Sequence, residues 1–208
     1  MWLQHEFPYR KHFDRNKCIF IHIPKAAGTS VLAALGKKGE KGRDHVSWQT
    51  YKKADSKKFN NYFKFSFVRN PYDRALSAYN YILFGGNQGE RDRIVAKVIN
   101  EYADFNDFVE RGLWKGVFRS HLLFLPQSSF VMDANDILMV DFLGHFETLE
   151  KDFKYVADQL GLNCGITHHN RGRLTSSESE DMAEMSQETR EKLSVLYAQD
   201  FMNFGYDF

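Results

Sequence analysis

The 208-residue sequence has only two cysteines, Cys18 and Cys164, and neither belongs to a CxxC pair. This count excludes a disulfide-stapled scaffold and favours two reduced thiols over one bridge. No apolar run reaches the roughly 18 residues of a transmembrane helix, so the sequence predicts none. The polar, aromatic N-terminus also lacks the apolar stretch of a signal peptide. From these absences we expect a soluble protein of the cytoplasm.

An excess of charge of either sign is also missing. The chain has 28 Lys and Arg against 27 Asp and Glu, a formal net charge of +1. A uniformly basic surface for nucleic acid is therefore not expected, although a local anion pocket stays open. The 43% of hydrophobic residues and 15% of aromatic residues exclude a disordered or fibrous chain. A chain of this length buries roughly 70% of its unfolded surface, so we expect a single domain over 1–208, with 1–17 as an N-terminal extension.

Strand patterns alternate with helix patterns along the chain. Apolar, β-rich runs at 18–23 and 63–69 are each followed by a helical pattern, at 31–36 and 71–84. Further strands are expected within 121–132 and 137–146, further helices at 47–62, 147–161 and 186–204, and a mobile surface loop at 162–185. This alternation predicts an α/β fold in which helices flank a central, mainly parallel sheet in three layers.

The segment IHIPKAAGTS, residues 21–30, leads from the first strand into the first helix. Backbone N–H groups and the positive helix end at such a turn favour an anion. Gly28 allows a ligand close to the backbone, Lys25 adds positive charge, and Thr29 and Ser30 add hydroxyl donors. A Walker A loop has its lysine directly before the hydroxyl residue, which this segment does not, and this argues against a standard P-loop ATPase. The alternative is an ordinary turn whose small residues serve packing.

The segment FVRNPYDRALSAY, residues 67–79, carries a second constellation. Arg69 ends the second strand, where the strands of an open parallel sheet face a ligand crevice. Ser77 follows on the next helix, and an arginine fork with a hydroxyl suits a terminal phosphate. The alternative is that Arg69 pairs with a nearby carboxylate such as Asp73 while Ser77 only packs.

Taken together, the two segments resemble the 5′- and 3′-phosphate motifs of sulfotransferases that use 3′-phosphoadenosine-5′-phosphosulfate (PAPS). The branch with the greatest resemblance is the carbohydrate (Golgi-type, family 2) sulfotransferases with their bacterial relatives, whose eukaryotic members normally carry an N-terminal anchor. The segments VDFLGHFETLEKDF (140–153) and LYAQDFMNFGY (196–206) also resemble this family. The resemblance implies a P-loop-like α/β sandwich and a single sulfotransferase-like domain.

The resemblance also implies roles for individual residues. Those that would hold the 5′-phosphosulfate of PAPS are Lys25, Ala27, Gly28, Thr29 and Ser30. Arg69 and Ser77 would hold the 3′-phosphate. Apart from the resemblance, Arg171 in the expected loop is a further candidate that would close over the nucleotide, although a solvated loop charge is the favoured alternative.

The implied reaction transfers the sulfuryl group of PAPS to a hydroxyl acceptor, expected to be a carbohydrate, by in-line displacement that yields PAP and needs no metal. Lys25 would neutralise charge on the bridging oxygen, and His45 is our candidate general base. The alternative for His45 is a surface histidine, while His22 is expected to pack beneath the loop. His121 and His145 are weaker candidates, and the adjacent pair His168 and His169 is a poor metal site.

Other features leave alternatives open. Basic residues near His45 would either guide an anionic glycan toward the site or form a solvated surface. They are Lys37, Lys38, Lys41, Arg43, Lys52 and Lys53. Three aromatic side chains, Trp48, Tyr51 and Trp114, would stack on sugar rings or belong to the core. A non-catalytic nucleotide-binding module is the main competing function. A nucleotide-dependent kinase is a second competing function. A kinase needs an Asp that binds Mg²⁺ after a hydrophobic strand, and the segment VMDAND, 131–136, matches that pattern poorly. No nucleic-acid partner is expected, and oligomeric state and acceptor identity stay open.

Overall fold

The computed structural model describes residues 7–37, 44–86, 90–166 and 185–208, with the side chains of Arg91 and Asp92 left out. These residues form two units. The first contains 7–37, 44–69 and 127–166, and the second contains 70–86, 90–126 and 185–208.

The described residues contain one parallel sheet of three strands, which lies in the first unit in the order β1 (Cys18–Ile21), β2 (Phe63–Val68) and β3 (Phe142–His145). Every residue of β1 is buried, as expected of a strand covered on both faces. The stacked rings of Phe20 and Phe65 join β1 to β2 with centroids 5.2 Å apart. The predicted α/β sandwich with a parallel sheet flanked by helices is confirmed.

Short helices make up most of the remaining described structure. In chain order they are α1 (Lys11–Asn16), α2 (Gly28–Ala34), α3 (Trp48–Ala54), α4 (Ser56–Asn61), α5 (Pro71–Leu83), α6 (Glu90–Ile99), α7 (Phe105–Asp107), α8 (Gly116–Arg119), α9 (Ser128–Val131), α10 (Leu149–Leu160), α11 (Gln187–Leu196) and α12 (Ala198–Phe204). A π-helical turn, Phe108–Gly112, extends α7, and a 3₁₀ turn, Phe146–Thr148, precedes α10. None of the helices in the described ranges is long and apolar enough to cross a membrane.

Local signals placed several helix ends correctly. Asn70 caps α5 by accepting from the backbone N–H of Tyr72, and Pro71 occupies the first position of this helix, which agrees with the helix predicted from residue 71. Ser186 caps α11 by accepting from the N–H of Thr189. Gly161 ends α10 in the left-handed conformation, at a φ of 63°.

Three predicted elements differ in the structure. The expected helix at 47–62 is interrupted at Asp55, whose extended backbone ends α3 and whose side chain caps α4. The expected helix at 186–204 is likewise divided at Tyr197 into α11 and α12. The apolar run at 121–132 contains α9 rather than a strand, because a short apolar run does not by itself distinguish the two.

Each unit has its own core. In the first, Tyr9 and Phe13 of the expected N-terminal extension are buried beside Tyr51. In the second, the fully buried guanidinium of Arg74 donates to the carbonyls of Leu123 and Leu125. Most of the expected loop at 162–185 lies outside the described residues, since these end at 166 and resume at 185.

Candidate functional site

The loop that follows β1 has an unusual backbone. Lys25 and Ala27 both have left-handed φ angles, 66° and 64°, although neither is a glycine. Such a residue costs on the order of 1 kcal/mol or more, and strained positions of this kind cluster at functional sites. Left-handed residues that alternate with ordinary ones turn successive N–H groups toward one concave side, which suits an anion. The backbone therefore supports the predicted anion-binding role of this loop.

Helix α2 begins earlier than the sequence predicts, at Gly28 rather than at residue 31. Its first backbone bonds run from Ser30 and Val31 to the carbonyl of Ala27, at 3.0 and 3.2 Å. The Ala27 side chain cannot cap the helix, so the N–H groups at the start of α2 have no cap from that residue. Thr29 is half-buried and Ser30 is buried at this helix start.

The imidazole of His22 explains why residue 28 is a glycine. His22 is buried, at 4% exposure, and stacks on Phe20 with ring centroids 5.4 Å apart. A Cβ atom at residue 28 would lie 1.5 Å from the Nε2 of His22. The prediction that His22 packs beneath the loop is confirmed, and the requirement for glycine here is steric rather than conformational.

Substitution of Gly28 should therefore destabilise the protein. The variant Gly28→Ala must displace a buried ring, and overpacking of this kind typically costs about 1–3 kcal/mol. Thermal unfolding should show this as a clearly lowered Tm. Gly165→Ala is the matched control, because a Cβ there meets no atom within 4 Å. Equal Tm values for the two variants would contradict the steric explanation.

His45 lies directly beside His22. The two ring centroids are 4.0 Å apart, and Nδ1 of His45 is 3.0 Å from the carbonyl oxygen of His22. A carbonyl oxygen only accepts, so Nδ1 of His45 carries the hydrogen. In the neutral ring, Nε2 is then the basic nitrogen, which is the state that a general base requires. The structure thus links His45, through His22, to the loop of residues 23–27 that contains Lys25, which we call the lysine loop.

Arg69 directly follows β2, next to the strand that leads to Lys25. Its backbone is held from both sides by the fully buried amide of Gln127, which accepts from the Arg69 N–H at 2.9 Å and donates to its carbonyl at 2.8 Å. Its guanidinium carbon lies 4.5 Å from the ring centroid of Phe146, a cation–π distance. The arginine is thus both buried, at 8% exposure, and fixed in position.

Two predicted binding residues lie outside the described part of the first unit. Ser77 is half-buried on α5 and belongs to the second unit, whereas Lys25, Gly28, His45 and Arg69 belong to the first. Arg171 lies outside the described residues, as do His168 and His169.

The remaining candidates have structural contacts. Tyr51 is fully buried and belongs to the core. The indole of Trp48 donates to the carbonyl of Met132 and carries Lys52 over its ring, while Trp114 has Arg119 over its ring. Nδ1 of His121 accepts from the N–H of Leu123 in the second unit. Of the basic stretch, Lys38, Lys41 and Arg43 lie outside the described residues.

The kinase alternative finds no support in the 131–136 segment. Asp133 lies in a turn beyond α9, where its carboxylate accepts from the N–H groups of Asn135 and Ile137. These bonds lower the pKa of Asp133. The carboxylate is occupied by its own turn and does not end a strand of the parallel sheet, as a Mg²⁺-binding Asp of that fold would.

Comparison with known proteins shows the family to which the chain belongs. A model of the family described as "Sulfotransferase family" matches residues 11–207. The chain belongs to the sulfotransferase family. A sulfotransferase requires a sulfate donor.

Two curated relatives indicate the branch of the sulfotransferase family that this chain resembles. Human carbohydrate sulfotransferase 10 is 26% identical over 177 residues, which cover 72% of this chain and 48% of the relative. Carbohydrate sulfotransferase 12 of Xenopus laevis is 26% identical over 246 residues, which cover 93% of this chain and 59% of the relative. The chain thus spans about half the length of the curated relatives it matches. No solved structure matches it.

These matches overturn the expected cytoplasmic location. That expectation rested on the missing signal peptide and membrane span, whereas the matched relatives are carbohydrate sulfotransferases. The Golgi-type members of that branch are membrane-anchored, so the cytoplasmic prediction is wrong.

Arg10, Asp44 and Gln127 were not predicted from the sequence as part of the site. Arg10 forms a bidentate ion pair with Asp44, the residue directly before His45. Gln127 contacts Arg69 across 58 residues of chain. A residue pattern read along the chain gives no signal for either contact, because both join distant segments.

Proposed function

We propose that the chain is a PAPS-dependent sulfotransferase that transfers a sulfuryl group to a carbohydrate hydroxyl. The observation that carries the proposal is the position of two cations on adjacent parallel strands. Lys25 follows β1 and Arg69 follows β2, so both leave the sheet at its carboxyl edge. A donor with phosphate groups at two positions of one ribose calls for two separate cations, and ligands of open α/β sheets bind at this edge. The acceptor class follows the names of the relatives.

The positions of the residues in the first unit support the roles that the motif resemblance implies. Lys25 and Ala27 of the loop after β1, together with Gly28, Thr29 and Ser30 at the start of α2, would hold the 5′-phosphosulfate. The buried, fixed guanidinium of Arg69 would bind the 3′-phosphate, for which a planar fork of donors is well suited. The assignment of Ser77 rests on the resemblance of its motif alone, and that of Arg171 only on its place in the 162–185 segment.

The chemical step is a displacement at sulfur. The acceptor oxygen forms a bond to sulfur while the bond from sulfur to the bridging phosphate oxygen breaks, and that electron pair leaves with PAP. Lys25 stabilises the negative charge that develops on the bridging oxygen. Nε2 of His45 takes the proton of the acceptor hydroxyl.

Calorimetric titration with PAP, beside ADP and ATP–Mg²⁺, tests the donor site. We expect PAP to bind at least about tenfold more tightly than ADP, because charge-assisted hydrogen bonds to the 3′-phosphate are strong. Labelled PAPS with a panel of glycans then tests transfer. A preference for ATP–Mg²⁺ would overturn the proposal in favour of a kinase, and tight PAP binding without transfer would favour a non-catalytic module.

Arg69 provides a specific test of the 3′-phosphate assignment. The variant Arg69→Ala should weaken PAP binding about 30-fold, the loss expected for hydrogen bonds to a charged group. Binding of adenosine 5′-phosphosulfate, which lacks the 3′-phosphate, should change by less than about threefold. Lys154→Ala, which removes an exposed ion pair on α10, is the control. Equal weakening of both nucleotides would show that Arg69 does not bind the 3′-phosphate.

A further inference from the structure

The residue before His45 is held by an ion pair with the N-terminal segment. Nε of Arg10 lies 2.7 Å from Oδ2 of Asp44, and Nη2 lies 3.0 Å from Oδ1. Both side chains are partly shielded, at 32% and 23% exposure. Two parallel N–H···O bonds fix the relative orientation of the two groups as well as their distance.

Arg10 is itself anchored to the first unit. The preceding residue, Tyr9, is buried, and its hydroxyl donates to the carbonyl of Tyr51 at 3.1 Å. The Tyr9 ring also makes edge contacts with the rings of Tyr51 and Tyr62. A guanidinium next to such an anchor is a fixed point rather than a flexible surface charge.

His45 is thereby held through two independent contacts. Its imidazole is held by the carbonyl and the ring of His22, which precede the lysine loop. Its backbone neighbour Asp44 is held by Arg10, which comes from a different part of the chain. Loss of the Arg10 contact would remove a constraint on the backbone beside His45, and the orientation of Nε2 would broaden.

We propose that Arg10 is a positioning residue for the general base. Through its bidentate contact with Asp44, it keeps His45 in the orientation in which Nδ1 donates to the His22 carbonyl and Nε2 is basic. This inference rests on the proposed function, because it takes His45 as the base of that reaction. The Arg10–Asp44 ion pair thus affects catalysis although it belongs to neither phosphate motif.

The kinetic test compares Arg10→Met with Lys58→Met. Lys58 forms an ion pair of similar exposure with Asp14 of α1 and lies over the Tyr9 ring, so its loss also loosens the N-terminal segment, whereas the Arg10–Asp44 contact itself remains. We expect Arg10→Met to lower kcat about tenfold, because small misplacements of a reacting group are costly. The KM for PAPS and the Kd for PAP should stay within about twofold, and Lys58→Met should keep the wild-type kcat.

Two further variants separate orientation from charge. Arg10→Lys keeps the charge but cannot span both carboxylate oxygens, so its kcat should lie between those of Arg10→Met and the wild type. The double variant Arg10→Met/Asp44→Asn should be no slower than the slower single variant, because both substitutions remove the same contact. The proposal is overturned if Arg10→Met keeps the wild-type kcat, or if Lys58→Met loses as much.

Nitrogen-15 NMR of the imidazoles gives a readout that does not depend on turnover. In the wild type, neutral His45 should be mainly the Nδ1-protonated tautomer, and the other tautomer should increase several-fold in Arg10→Met. An unchanged tautomer ratio would overturn the proposal. Failure of the wild type to transfer from PAPS would instead count against the proposed function, and the tautomer measurement would still decide the role of Arg10.

Discussion

Replacement of Lys25 by alanine is expected to lower kcat for sulfuryl transfer by about 10³-fold. The ammonium group stabilises charge that appears on the bridging oxygen only as the sulfur–oxygen bond breaks, and removal of one such donor costs about 10²–10³ in rate. The loss of a full positive charge lies at the upper end of this range. Binding of PAP should weaken by less than about tenfold, because the loop backbone and Arg69 remain.

A second variant separates the side chain of Lys25 from its backbone strain. Lys25 has a φ of 66°, which glycine adopts at no steric cost. We therefore expect Lys25→Gly to be as inactive as Lys25→Ala but at least as stable to heat. Lys53→Ala, at an exposed position of α3, is the control for loss of a lysine in the same unit. Turnover within about twofold of the wild type in Lys25→Gly would exclude a catalytic role for the ammonium group.

Replacement of His45 by glutamine should lower kcat by about 10²–10⁴-fold, the usual contribution of a general base. Glutamine can still donate a hydrogen bond but cannot accept the acceptor's proton at neutral pH. The Kd for PAP should stay within about threefold, since His45 lies outside the phosphate motifs.

His121→Gln is the control for the loss of a histidine, since His121 lies in the second unit, where its Nδ1 accepts from the backbone N–H of Leu123. It should keep wild-type activity. If His45→Gln transfers sulfate at the wild-type rate, another group is the base and the role proposed for Arg10 also fails. If PAP binding is lost together with turnover, His45 belongs to the donor site instead.

The sequence carried enough local signal to predict the sheet, the two motif segments and the main helix caps. Gly161, Asn70 and Pro71 act on their immediate neighbours, so their effects can be inferred from a few residues. The helix predicted at 47–62 divides at Asp55, whose side chain caps α4. Hydrophobic periodicity does not show whether such a residue continues one helix or caps the next. The local sequence pattern determines helix boundaries of this kind less than it determines the other features of the fold.

The residues around the candidate site were predictable only in part. Lys25, Gly28 and Arg69 can be proposed from the sequence because they lie in strand–loop–helix motifs that carry a chemical pattern. Arg10 and Asp44 are 34 residues apart, so their pairing depends on a fold that brings the two segments together. The tautomer of His45 likewise depends on a carbonyl 23 residues away.

The contact between His22 and Gly28 has a consequence for how this family can diverge. The imidazole occupies the volume that any side chain at residue 28 would need. The two positions are therefore under joint selection: a larger residue at 28 becomes acceptable only after a smaller one replaces His22. Related sequences should show this as covariation, with glycine inherited wherever the histidine is kept and lost only where the ring is also lost.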